Sequence, residues 1–112
     1  MSGVNIIVYG TPKCRETQKA LRFFKERRVQ VQFRDLTEKP LSEGELKNIS
    51  AGKEPASLLD ESSSAYAKRG LKYMDFDPAE EILADNALLL TPIIRVDGKS
   101  YARPDLAALP LK

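Results

Sequence analysis

A chain of 112 residues with 42% hydrophobic content has material for one domain built on a two-layer core, without disulfide staples. Its formal charge of +2, from 18 basic and 16 acidic residues, makes no electrostatic case for direct contact with nucleic acid or a membrane surface. The absence of histidine excludes Cys–His and Ser–His–Asp catalysis and His-ligated metal sites, and a single cysteine cannot form an internal disulfide. That cysteine usage fits a reducing compartment. The start Met-Ser-Gly-Val-Asn has no leader-like pattern and no apolar run is long enough to span a bilayer, so the expected location is the cytoplasm.

Asn5 to Tyr9 is a β-branched and aromatic run suited to a buried central strand, broken by Gly10-Thr11-Pro12. From about Cys14 to Arg28, Ala20, Leu21 and Phe24 recur at helical spacing, with Phe23 widening the apolar face. Lys25, Arg27 and Arg28 at its end complement the helix dipole. Val29, Val31 and Phe33 then alternate with Gln30, Gln32 and Arg34, which predicts a second strand. Strand, helix, strand within this span is a right-handed βαβ unit with parallel strands.

The middle of the chain predicts short helices. Ser42 and Glu45 form a capping box ahead of Leu46 and Ile49, and Gly52 to Pro55 ends that helix. Ser62 to Lys68 reads as a helix stopped by Gly70, and Asp77-Pro78-Ala79-Glu80-Glu81 as a strong helix start that buries Ile82 and Leu83. Pro92 to Val96 is a strand, Asp97-Gly98 a type I′ turn, and Lys99 to Ala102 the returning strand. A short helix from Pro104 to about Leu109 closes the chain. The expected fold is α/β: a four-stranded mixed sheet ordered βαβ, helical insertion, ββα.

Cys14 stands where the first strand hands over to the first helix, the edge at which open α/β sheets place ligands. Unpaired N–H groups and the helix dipole stabilise a thiolate there, the dipole by about 0.3–2 kcal/mol. Lys13 and Arg15 flank the sulfur and either add to this or point to solvent. The competing reading is a small buried hydrophobe, a common fate of free cysteine. Thr91-Pro92 is a second feature, although proline at the first position of a strand also has a purely structural explanation.

Taken together, several segments resemble the arsenate reductase–Spx (ArsC/Spx) branch of the thioredoxin superfamily. They are Val8-Tyr9-Gly10-Thr11-Pro12-Lys13-Cys14, Lys19-Ala20-Leu21, Arg34-Asp35-Leu36, Pro40-Leu41-Ser42 with Glu45-Leu46, Leu90-Thr91-Pro92-Ile93-Ile94, Asp97-Gly98-Lys99 and Arg103-Pro104. The resemblance implies one thioredoxin-like domain over residues 1–112 with a helical insertion at about 42–90, and a cis proline, Pro92, beside Cys14. It also implies a cysteine nucleophile, an oxyanion held by arginines, and glutathione with glutaredoxin as reductant. The chain departs from that pattern: Gln18, Asp60 and Thr91 stand at the family's arginine positions, and Arg103 is retained.

With Thr17 where a second cysteine would stand, the resemblance implies a monothiol oxidoreductase with no bound cofactor. Its parts would be Cys14 as nucleophile, Thr17 and Arg15 as thiolate support, and Thr11, Thr91, Pro92 and Arg103 positioning a substrate or glutathione. The resolving thiol must come from glutathione, glutaredoxin or thioredoxin. Two alternatives stand beside it. One is a true arsenate reductase. The other is an Spx-like regulator or protein-binding module without redox turnover, with Tyr66, Leu71, Tyr73 and Met74 as a candidate surface, unless these residues only seal the insertion.

Overall fold

The computed structural model describes residues 5–110, which divide into two compact units. The first runs through residue 39 and resumes at Thr91; the second is Pro40–Leu90.

The first unit carries a four-stranded sheet in the order β2-β1-β3-β4, formed by β1 (Ile6–Gly10), β2 (Gln32–Asp35), β3 (Ile93–Val96) and β4 (Lys99–Ala102). β1 pairs parallel with β2 and antiparallel with β3, and β3 pairs antiparallel with β4. Strand alternation sends Ile6 and Val8 to one face, opposite Val96 and Ile94 of β3. Helix α1 (Arg15–Glu26) covers that face with Ala20 and Phe24, one helical turn apart and fully buried. Leu109 completes this core, and Phe23, Val31, Phe33 and Tyr101 pack around it. The hairpin turn is of the expected kind: Asp97 and Gly98 both have positive φ, 49° and 90°. The Asp97 side chain accepts from Asn5 N at 2.8 Å, fixing the turn to the start of β1.

Two boundaries differ from the sequence reading for identifiable reasons. The predicted strand at Val29–Phe33 begins only at Gln32, because Val29 belongs to the end of α1. Arg28 takes the left-handed conformation (φ 58°); its N–H donates to Lys25 O at 3.0 Å and that of Val29 to Phe24 O at 2.9 Å. This is a Schellman stop built on arginine instead of glycine. The closing helix contracts to a single 3₁₀ turn, Leu106–Ala108, capped by the Asp105 carboxylate on Ala107 N.

The second unit holds α2 (Glu43–Ile49), α3 (Ser64–Lys68) and α4 (Pro78–Ala84) with intervening 3₁₀ turns. The capping box at α2 is formed both ways, Glu45 N to Ser42 Oγ at 3.1 Å and Ser42 N to Glu45 Oε1 at 3.0 Å. Asp77 caps α4 through Ala79 N, with Pro78 at the first helical position. Gly70 ends the α3 region at φ 65°. Leu46, Ile49, Leu58, Leu71, Ile82 and Leu88 are buried here, and an isolated antiparallel bridge joins Leu59 to Leu89. Leu83 is only half-buried. Of the candidate partner surface, Leu71 is buried and Tyr66 half-buried, while Tyr73 (84%) and Met74 (54%) are exposed. Among the described residues, no helix is long and apolar enough to cross a membrane.

Candidate active site

The chain leaves β1 at Gly10, makes a turn in which Cys14 N donates to Thr11 O at 3.2 Å, and enters α1. Cys14 is the N-cap residue: its backbone is extended (φ −78°, ψ 119°), and its carbonyl already accepts from Gln18 N at 3.0 Å. The helix thus begins one residue later than its apolar periodicity indicates, and the sulfur lies over the unpaired end of the helix instead of along its flank. The Gln18 side chain donates back to Pro12 O and ties down the same turn.

Thr91 reaches this sulfur from the far side of the sequence. Its hydroxyl donates to Cys14 Sγ at 3.2 Å, and the Cys14 thiol is 3.8 Å from the Thr91 carbonyl. The Thr91–Pro92 bond is cis, and both residues are buried. From the end of β4, Arg103 Nε donates to Thr91 O at 2.8 Å and Arg103 N to Pro92 O at 2.8 Å.

The electrostatics favour the thiolate. Partial burial on its own raises the Cys14 pKa, but hydrogen bonding from the Thr17 hydroxyl, the Thr91 hydroxyl and the Thr17 and Glu16 amides outweighs it, so the thiol lies below its ordinary value. Those amides are second and third in the helix, the groups that an N-cap acceptor normally satisfies. The neutral thiol makes no capping bond and the Thr17 hydroxyl, fully buried, has no partner of good geometry. Both become useful when the sulfur carries charge. Thr17 is held close by Gly10: a Cβ at Gly10 would lie 2.3 Å from Thr17 Oγ1.

The remaining sequence candidates are placed as follows. Arg15 is exposed and is not among the groups that lower the thiol, so the sequence neighbour contributes less than the distant Thr91. Thr11 contributes its carbonyl to the turn, and with Pro12, Lys13 and Thr37 it lines a pocket of about 350 Å³. Asp60 belongs to the second unit, where its carboxylate accepts from Ser62 N and Oγ. A further pocket of about 340 Å³ escapes sequence reasoning, because its lining comes from both ends of the chain: Glu16, Lys19 and Phe23 on α1, and Pro92, Arg103 and the 104–107 segment. Its charged groups are mixed, Lys19 and Arg103 against Glu16 and Asp105. Among the described residues no cluster of His, Cys, Asp or Glu could hold a metal ion.

No protein-family model matches the chain, and no curated protein matches its sequence. Among solved structures it is similar to the arsenate reductase from Vibrio cholerae, with a TM-score of 0.77 at 19% identity over 92% of this chain and 93% of that one. It is similar to the YffB protein, with a TM-score of 0.83 at 19% identity over 93% and 95%. An arsenate reductase (ArsC) related protein from Brucella melitensis gives 0.73 at 20% over 92% and 89%. At such identities the likeness is one of fold, and it extends over nearly the whole of each chain. The chain has the thioredoxin-like α/β fold found in arsenate reductase (ArsC) structures.

Proposed function

We propose that this chain is an arsenate reductase-related protein working as a monothiol oxidoreductase, with Cys14 as nucleophile. The observation that carries the reading is the sulfur at the N-cap of α1, within 3.2 Å of the Thr91 hydroxyl and beside the cis Thr91–Pro92 bond. A lowered thiol pKa keeps a larger thiolate fraction near neutral pH, and the thiolate is the attacking species.

On a disulfide substrate the Cys14 thiolate attacks one sulfur, forms a mixed disulfide and releases the other half as a thiolate. A second thiolate, from glutathione, glutaredoxin or thioredoxin, attacks the substrate-derived sulfur and returns Cys14 as thiolate. The chain supplies no resolving cysteine, because it has one cysteine in all. The two electrons therefore come from outside, and the product leaves as a new disulfide. Location in the cytoplasm, where such thiols are kept reduced, belongs to the same proposal.

Arsenate reduction by the same thiolate is the second reading, favoured by the fold shared with the arsenate reductase from Vibrio cholerae. The mixed charge around the 340 Å³ pocket suits an inorganic oxyanion less well than an array of guanidinium groups would. The test is turnover of glutathione mixed disulfides and of arsenate with glutathione and glutaredoxin, using Cys14→Ser as blank. Turnover with either substrate above the blank, with an adduct on Cys14 by intact mass, is the expected result. Equal rates with and without the sulfur for both substrates would overturn the proposal.

A further inference from the structure

We propose that Arg103 is a positioning residue for the Cys14 thiolate, acting through Thr91. It fastens the Thr91–Pro92 backbone and so keeps the Thr91 hydroxyl directed at the sulfur. The inference rests on Cys14 being the reactive group, and it assigns the arginine a task other than gripping substrate.

Three observations converge. Arg103 holds both peptide carbonyls of the cis segment, Thr91 O through Nε and Pro92 O through its own N–H, each at 2.8 Å. The backbone bond continues the β3–β4 ladder just past its last pair, Ile93 with Ala102, and the side-chain bond extends it to Thr91. Second, Arg103 adopts a left-handed backbone (φ 42°), a conformation disfavoured for a side chain with a Cβ. A non-glycine residue stays there only where its surroundings over-determine it, and here the two hydrogen bonds to Thr91 O and Pro92 O do so. Third, the carbonyl that Nε takes up is the one 3.8 Å from Sγ.

That last contact changes sign when the thiol ionises. A thiol S–H is a weak donor toward the Thr91 carbonyl; a thiolate offers no proton and faces the negative end of the C=O dipole. A guanidinium on that carbonyl draws its electron density away from the sulfur and offsets the repulsion. The same bond fixes the main chain from which the Thr91 side chain projects. Threonine is β-branched with few rotamers, so fixing its backbone narrows the directions its hydroxyl can take.

The test is the pH dependence of Cys14 alkylation in the full chain, for wild type, Arg103→Ala, Arg103→Gly, Thr91→Val and the Arg103→Ala/Thr91→Val double variant. Both Arg103 variants should move the inflection to higher pH and slow alkylation below it. Arg103→Gly accepts the left-handed backbone without cost, so a loss there comes from the missing side chain and not from a distorted turn. In the Thr91→Val background, Arg103→Ala should shift the inflection further by less than half of its effect in wild type, because its main route has been removed. Fully additive shifts, or an unmoved inflection in both Arg103 variants, would overturn the positioning role while leaving the oxidoreductase reading intact. A wild-type inflection at or above that of a free thiol overturns both.

Discussion

Gly10→Ala adds one methyl group at the point where β1 passes closest to Thr17 of α1. The new methyl would stand 2.3 Å from Thr17 Oγ1 and 2.7 Å from Thr17 Cγ2, where ordinary contacts run at about 3.5–4.0 Å. One side must therefore yield by roughly 1 Å. Thr17 cannot swing outward, because it is fully buried on α1 and stiff at χ1. Overpacking of this kind costs about 1–3 kcal/mol. Displacing the hydroxyl also removes a bond to the thiolate, of about 1.5 kcal/mol at the weaker end, which is close to tenfold in thiolate fraction below the inflection. A more basic thiolate is intrinsically about threefold more nucleophilic, so the net loss in alkylation rate is about threefold. Urea unfolding and iodoacetamide kinetics against pH read the two effects separately. Thr17→Ala removes both close atoms, so Gly10→Ala should be less damaging by about 1 kcal/mol in that background. A Gly10→Ala variant with wild-type unfolding midpoint and wild-type alkylation profile would refute the reasoning.

Thr17→Val deletes a buried hydroxyl that has no partner in the thiol form, so stability should hold or rise slightly while the Cys14 inflection moves to higher pH; a loss above about 1 kcal/mol in urea would contradict this. Wild-type alkylation should fall as pH drops through an inflection below the ordinary thiol value, and stay flat above it; Thr91→Val should move that inflection upward, and an unmoved profile would remove Thr91 from thiolate support. Arg28→Gly relieves an exposed left-handed residue with φ 58° and should stabilise the chain by about 1 kcal/mol; an unchanged or lower urea midpoint would contradict this. Ser42→Ala removes the Oγ that accepts from Glu45 N, leaves the residue-42 N–H donating to Glu45 Oε1, and should cost about 1 kcal/mol, with no change in Cys14 alkylation.

Local signals carried most of the fold. The buried run at β1, the spacing of Ala20, Leu21 and Phe24, the Ser42–Glu45 box, the Asp77-Pro78 start and the Asp97-Gly98 turn each draw on chemistry within a few residues, and each stands where expected. The start of β2 was not legible, because the stop of α1 uses Arg28 in a conformation normally signalled by glycine. The site divides in the same way. Cys14 could be singled out from its own junction, but the partners that tune it could not all be ranked. Arg15 lies next to it in sequence but is exposed and is not among the groups that lower the thiol, whereas Thr91, 77 residues away, supplies a hydroxyl to it. Gly10 reads as an ordinary turn residue until its close approach to Thr17 is seen.

The bond between Thr91 and Cys14 spans the whole of the second unit in sequence, so it exists only after β1 and β3 have found each other. Contacts of such separation are costly in loop entropy and tend to form slowly. During folding or local opening, Cys14 therefore loses the Thr91 share of its thiolate support even while α1, with the Thr17 and Glu16 groups, persists. Its chemical reactivity is a built-in gauge of long-range strand pairing: a pulse of alkylating agent during refolding would date the closure of the sheet without any added probe. A nascent chain would complete the support of its sulfur only once the C-terminal hairpin had joined.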